Sequence, residues 1–186
     1  MTIKQILLLA ALPATFAFMA PAGKLVSRAV HIEFFSTTPA EDIRANNYTG
    51  TGAIDPASGD VVFSIPMQSF EFEKALMQKH FNSPDFLDTK AYPKAKFKGS
   101  IVDLGEVDFT KDGSYPLSVK GEMTIKDKTN PLTTTGTITV KVGKVSIESK
   151  FPIILADYGI AFIKGKPSTN VAKTVEVTVK GEFATE

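Results

Sequence analysis

Between residues 26 and 183 apolar and polar side chains trade places with a period of two, and the pattern breaks only once. Alternation of this kind gives every extended segment one apolar face and one wet face. Val26, Val30, Ile32 and Phe34 share a face, with Ser27, His31 and Glu33 opposite. Val61, Phe63, Ile65 and Met67 form a second, and Ala95, Phe97 and Ile101 a third against Lys94, Lys96, Lys98 and Ser100. Tyr115, Leu117, Val119, Met123 and Ile125 make a long fourth. Ile138, Val140 and Val142 follow, and Val175, Val177, Val179 and Phe183 close the chain. Weaker strands are expected at 43–48, 51–54 and 160–163, for about eight to ten in all.

Strands that are apolar on one side only, with no helices to cover a second side, must bury that side against itself. The choice is a sandwich or a closed antiparallel barrel, an all-β fold either way. About eight strands would give a barrel wide enough for one elongated small ligand. Periodicity alone leaves barrel and sandwich open.

The break lies at residues 73–97. Leu76, Met77, His80 and Phe81 fall on one stripe of a helix, with Glu73, Lys74, Gln78 and Lys79 largely on the other side. Asn82 can end this helix, and Ser83-Pro84-Asp85 reads as an N-cap with proline at N1 for a second short turn that carries Phe86 and Leu87 inward. Tyr92-Pro93 restores extended geometry, because the residue before proline avoids the α region. A short helical insert in an all-β chain is expected to close something.

Residues 1–22 read as a secretory signal peptide: Lys4, an uncharged apolar run from Ile6 to Ala20, then Ala20-Pro21-Ala22 before Gly23. The run is shorter than a membrane span and is broken by Pro13, which favours cleavage over anchoring. Residues 23–186 then form one domain without linker or repeat, in the periplasm or outside the cell. The absence of cysteine removes thiol catalysis, iron–sulfur clusters and cysteine-bound zinc, and leaves burial to hold the domain together. With Lys4 set aside, 20 basic residues balance 20 acidic ones, so no nucleic-acid partner is expected.

The order H-F-N-S-P-D-F-L-D-x-x-x-Y-P-x-x-x-F, formed by His80, Phe81, Ser83, Asp85, Phe86, Leu87, Asp88, Tyr92, Pro93 and Phe97, resembles the YceI-like family of secreted polyisoprenoid-binding proteins. The strand from Leu117 to Ile125 and the segment Asp157-Tyr158-Gly159-Ile160 are similar to two further family segments in the same order. The resemblance implies a lipocalin-like closed antiparallel β-barrel of about eight strands, with one or two short helices capping one mouth. It implies a ligand of isoprenoid or fatty-acyl type, no cofactor, no enzymatic step and no stable membrane span, with pairing of two barrels as an option. The cavity wall it implies comprises Phe34, Phe63, Ile65, Met67, Phe70, Phe72, Leu76, Met77, Phe81, Phe86, Leu87, Phe97, Leu117, Val119 and Met123. Methionine suits such a wall because the thioether repacks around varied partners. The chain departs from the family where an acidic residue usually precedes the histidine (Gln78-Lys79 here), and Leu155-Ala156 stands where an arginine is common. The resemblance therefore concerns the apolar tail of a ligand more than its head.

Competing readings are weighed on the same residues. His80 with Asp85 and Asp88 invites a hydrolase, but no G-x-S-x-G nucleophile turn is present. Its expected role is structural, the imidazole hydrogen-bonding backbone at the helix end. His31 is the other histidine, on the polar face of its strand, and the two form no metal-binding cluster. Asn47-Tyr48-Thr49 matches the glycosylation triplet, which is common by chance. The threonines of residues 133–139 read as solvated strand surface. The alternative function is an envelope interaction or stress-response domain with a filled core.

Overall fold

The computed structural model describes residues 23–39, 41–160 and 171–186. Among these residues nine strands and one α-helix follow in chain order: β1 (Leu25–Thr37), β2 (Asp42–Ile54), β3 (Asp60–Pro66), β4 (Glu71–Phe72), α1 (Ala75–Asn82), β5 (Lys94–Ile101), β6 (Gly113–Ile125), β7 (Lys128–Lys141), β8 (Lys144–Ile154) and β9 (Thr174–Thr185). All pairings are antiparallel, in the order β1-β9-β8-β7-β6-β5-β3-β2, and β2 pairs back onto β1. Eight strands thus close into a barrel, and the two-residue β4 extends the edge of β2 beyond β3.

Alternation explains the strands. On β8, Val145, Ile147, Ser149, Phe151 and Ile153 are buried inside, while Glu148, Lys150 and Ile154 face out. Closure demands curvature, and glycines on the inner face supply it where side chains would collide. Gly99 of β5 and Gly121 of β6 lie directly opposite each other. A Cβ on Gly121 would sit 2.3 Å from the Lys98 carbonyl oxygen and 2.8 Å from the Phe97 ring. The Phe97 ring covers the space that the two missing side chains leave.

One end of the barrel is solid. Leu25, Val30, Ile54, Val145 and Phe183 are at most 2% exposed there. Phe183 meets Phe63 edge-on at 6.1 Å and lies against Gly52 and Gly181.

The structure shifts several strand expectations. The β1–β2 register slips between Ser27 and Val30, then slips back before Ile32. The bulge changes which face points inward, because one extra residue inverts a period-two pattern. Leu25 and Ser27 are therefore buried, and Val26 lies on the opposite face from Val30. The two weak strands at 43–48 and 51–54 are one continuous strand, β2. Val142 is not a strand residue. It occupies the β7–β8 turn with φ 51° and is 83% exposed. Ile160 is not in a strand, and 161–163 lie outside the described residues.

Asn47 braces the compensating slip in β2. Its Oδ1 accepts from the Thr49 N–H at 2.9 Å and the Thr49 hydroxyl at 3.0 Å, while its Nδ2 donates to the Pro66 carbonyl at 2.7 Å. The side chain is fully buried. Asn47→Ala would leave the Pro66 carbonyl and the Thr49 amide without their partner. We expect a loss of about 1–3 kcal/mol in chemical denaturation, against less than about 0.5 kcal/mol for an exposed control such as Thr133→Ala.

Candidate ligand-binding site

Above the solid end the inward residues do not fill the tube, and a cavity of about 700 Å³ remains. That volume lies in the range of small-molecule and cofactor sites. All fifteen residues expected on a cavity wall line it, among them Phe63, Met67, Phe97, Leu117 and Met123 along the barrel and Leu76, Met77, Phe81, Phe86 and Leu87 at its mouth. Sequence reasoning missed the side formed by β7, β8 and β9, where Leu132, Ile147, Phe151, Val175 and Val177 complete the wall. Val175 and Val177 belong to an expected strand, but β8 (Lys144–Ile154) is not among the strands expected from the sequence, although its residues alternate.

The mouth is covered by the excursion from Met67 to Pro93. A bond from the Met67 N–H to the Pro93 carbonyl at 2.8 Å ties its two ends together. Helix α1 has eight residues and no side-chain N-cap, too short to be stable by itself. Tertiary contacts hold it instead. The Phe81 ring docks among Phe34, Phe70 and Phe72 with centroid distances of 5.7, 5.5 and 5.0 Å. Such pairs contribute about 0.5–1.5 kcal/mol each beyond burial.

Polar tethers attach the excursion to two hairpins. Lys74, just before α1, pairs with Glu41 beside β2. The hydrogen bond and charge of Glu41 hold the Lys74 ammonium protonated above the usual lysine range. On the other side, the Lys126 ammonium in the β6–β7 turn donates to the Phe86 carbonyl at 2.9 Å and lies 5.9 Å from the Tyr92 ring centroid. Asn82 joins helix to turn, donating to the Gln78 carbonyl at 3.0 Å and accepting from the buried Thr89 hydroxyl at 2.7 Å.

Two expectations about this excursion are corrected. The short turn expected after Ser83 is present within residues 83–92, but the Ser83 hydroxyl does not cap it and reaches back to the His80 carbonyl at 2.7 Å. The Ser83 hydroxyl thus finishes α1, while its carbonyl accepts from the Phe86 and Asp88 N–H groups of the turn that follows, at 3.0 and 2.8 Å. The His80 imidazole is exposed and makes no hydrogen bond among the described residues; its carbonyl, bonded by the Ser83 N–H at 3.1 Å, does the tethering. His31 bonds Asn46 at 2.9 Å and stacks on Tyr48 at 4.5 Å. Among the described residues no group of three or more His, Asp or Glu side chains is placed to hold a metal ion.

The wall is apolar apart from a few groups. Ser36, Glu41, Lys74 and His80 lie toward the lid, Lys96 touches the lining, and Thr134 and Ser149 sit on the wall between β7 and β8. Thr134 corrects the reading of residues 133–139 as solvated surface: it faces inward, while Thr133, Thr135 and Thr137 face out. A site of this make-up offers burial of hydrocarbon and few directed polar contacts.

Comparison with known proteins agrees with this geometry. A UPF0312 protein of Vibrio cholerae serotype O1 is 34% identical over 93 residues, 48% of this chain and 45% of that one. The chain thus matches less than half the length of that relative. A polyisoprenoid-binding domain from Saccharophagus degradans has the same fold, with a TM-score of 0.74 at 13% identity over 88% of this chain and 99% of that one. BcnA of Burkholderia cenocepacia follows with a TM-score of 0.68 at 20% identity, covering 84% and 96%. The YceI-like domain matches residues 20–183, nearly the whole barrel together with its lid, and this chain belongs to that family.

Proposed function

We propose that this protein binds a polyisoprenoid or similar long-chain amphiphile and carries or sequesters it in the bacterial envelope. The observation that carries the reading is the lidded apolar cavity of about 700 Å³. The family and the polyisoprenoid-binding neighbour support it and point to a binding protein rather than an enzyme. The alternative interaction-domain reading depends on a filled core, and the cavity favours the lipid-binding reading over it. Among the described residues no helix is long and apolar enough to cross a membrane. The apolar run Ile6 to Ala20 and the Ala20-Pro21-Ala22 that follows support export.

Magnitudes make the reading sufficient. At about 30 Å³ per water-sized group, the cavity has room for on the order of 20 heavy atoms. At about 0.8 kcal/mol per methylene, burying such a chain contributes on the order of 16 kcal/mol before costs. Association and ordering costs of about 4–15 kcal/mol leave on the order of 1–12 kcal/mol, which gives useful affinity without any specific polar contact unless the costs fall at the upper end.

Native mass spectrometry and organic extraction of the protein purified from its host should reveal a bound lipid of about 20 or more carbons; a lipid-free protein with no affinity for prenyl chains would sink the proposal. Phe63→Glu or Phe97→Glu should abolish binding, because an uncompensated carboxylate in the apolar tube costs several kcal/mol. Phe81→Ala should chiefly raise the ligand dissociation rate in stopped-flow measurements, whereas His80→Ala should change neither affinity nor stability by more than about 0.5 kcal/mol. N-terminal sequencing of protein recovered from the envelope should begin at Gly23.

A further inference from the structure

Among the described residues, the inner wall carries a polar pair away from the lid. Thr134 of β7 and Ser149 of β8 both line the cavity, with their hydroxyl oxygens 2.9 Å apart. Ser149 Oγ also donates to the Thr135 carbonyl at 2.8 Å, and Thr134 Oγ1 lies 3.3 Å from the same oxygen. Ser149 is 7% exposed. Gly136, opposite Ser149 in the register and next to Thr134 on the inner face, has no side chain to cover the pair.

Hydrogen counting defines what the pair presents. Each hydroxyl has one hydrogen and two lone pairs. If Ser149 donates to the Thr135 carbonyl, Thr134 donates to Ser149 and keeps both of its lone pairs open. If Thr134 donates to the carbonyl, Ser149 donates to Thr134, and the open lone pairs are then on Ser149. In both arrangements, which make two internal bonds each, both hydrogens are used and only acceptors face the cavity; turning either hydroxyl toward a ligand gives up one internal bond.

The strand residues opposite are Val119 for Thr134 and Val179 for Ser149, both on the cavity wall. A saturated hydrocarbon lying here would cover these lone pairs without a partner, and a carbonyl or ether oxygen would face them as a second acceptor. A hydroxyl satisfies them. A charged headgroup could not take the same place without a large desolvation cost.

We infer that the cavity selects a lipid with a neutral hydroxyl, an isoprenoid alcohol in the simplest case, and that the Thr134–Ser149 pair accepts its hydrogen bond inside the barrel. Thr134 is six residues in from the Lys128 end of β7, roughly 20 Å along the strand. The ligand's polar end therefore goes in first and its chain lies toward Phe86, Leu87 and Phe81. The inference rests on the lipid-binding reading above and adds ligand class and orientation to it.

The test compares geranylgeraniol with its methyl ether, equal in chain and oxygen but unable to donate. Both are titrated into the delipidated protein by displacement of a fluorescent fatty-acid probe. The wild type should hold the alcohol about tenfold more tightly, one net hydrogen bond. In the Thr134→Val/Ser149→Ala variant, checked for an unchanged melting temperature, the preference should vanish, because the alcohol loses its acceptor and the ether no longer meets opposing lone pairs. Equal binding of both compounds by the wild type, or a preference that persists in the variant, would overturn the inference and leave the lipid-binding reading standing. If neither compound nor the probe bound, the lipid-binding reading would fail, and this one with it.

Discussion

Everything in this molecule depends on the pairing of β1 with β2, which joins the first strand of the sheet to the last. Without it the sheet would have two open edges, each a row of unpaired backbone groups, and its apolar face would need a second layer. With it the apolar face becomes an enclosure. The pairing holds over thirteen-residue strands despite two slips, because the slips are of opposite sense and the second is bridged from within by Asn47.

The two ends of the enclosure are built on different principles. The solid end uses interlocked strand residues such as Leu25, Val30 and Phe183, fully covered and far apart in sequence. Opening it would require breaking the barrel. The lidded end is a local excursion between β3 and β5, held by one ring in a nest of three and by tethers to two hairpins. Its contacts can be released without disturbing a strand pair of the barrel wall. Opening this end therefore costs less free energy than opening the solid one.

Much of this was legible in the sequence, for physical reasons. Alternation marks strands because a half-buried surface needs it, so β3, β5, β6 and β9 follow directly from their residues. The insert was legible because a 3.6-residue stripe cannot be confused with a period of two. Phe81, Phe86 and Leu87 could thus be placed at the mouth from the pattern of residues alone. Bulges were not legible: an extra residue leaves no compositional mark, and Val26 lands on the wrong face because residues 28 and 29 together stand against the single residue 51 of β2. His80 misled because an imidazole near a helix end suggests a cap, whereas the Ser83 hydroxyl occupies the carbonyl first. The inward threonine was hidden by its neighbours, since a run of threonine carries no alternation to show which members face in.

The Asn47-Tyr48-Thr49 clamp bears on how this protein can be made. Its three residues spell an acceptor site for N-linked sugar, and they use the same amide and hydroxyl for internal bonds. Oligosaccharide transfer acts on nascent chains before such bonds exist. A eukaryotic secretory host would therefore have to be kept from modifying this triplet, since a glycan on Nδ2 would occupy the nitrogen that reaches Pro66 and could not be housed at a fully buried position. Protein from such a host would divide into an unmodified, closed population and a glycosylated one whose barrel and lid junction could not form together.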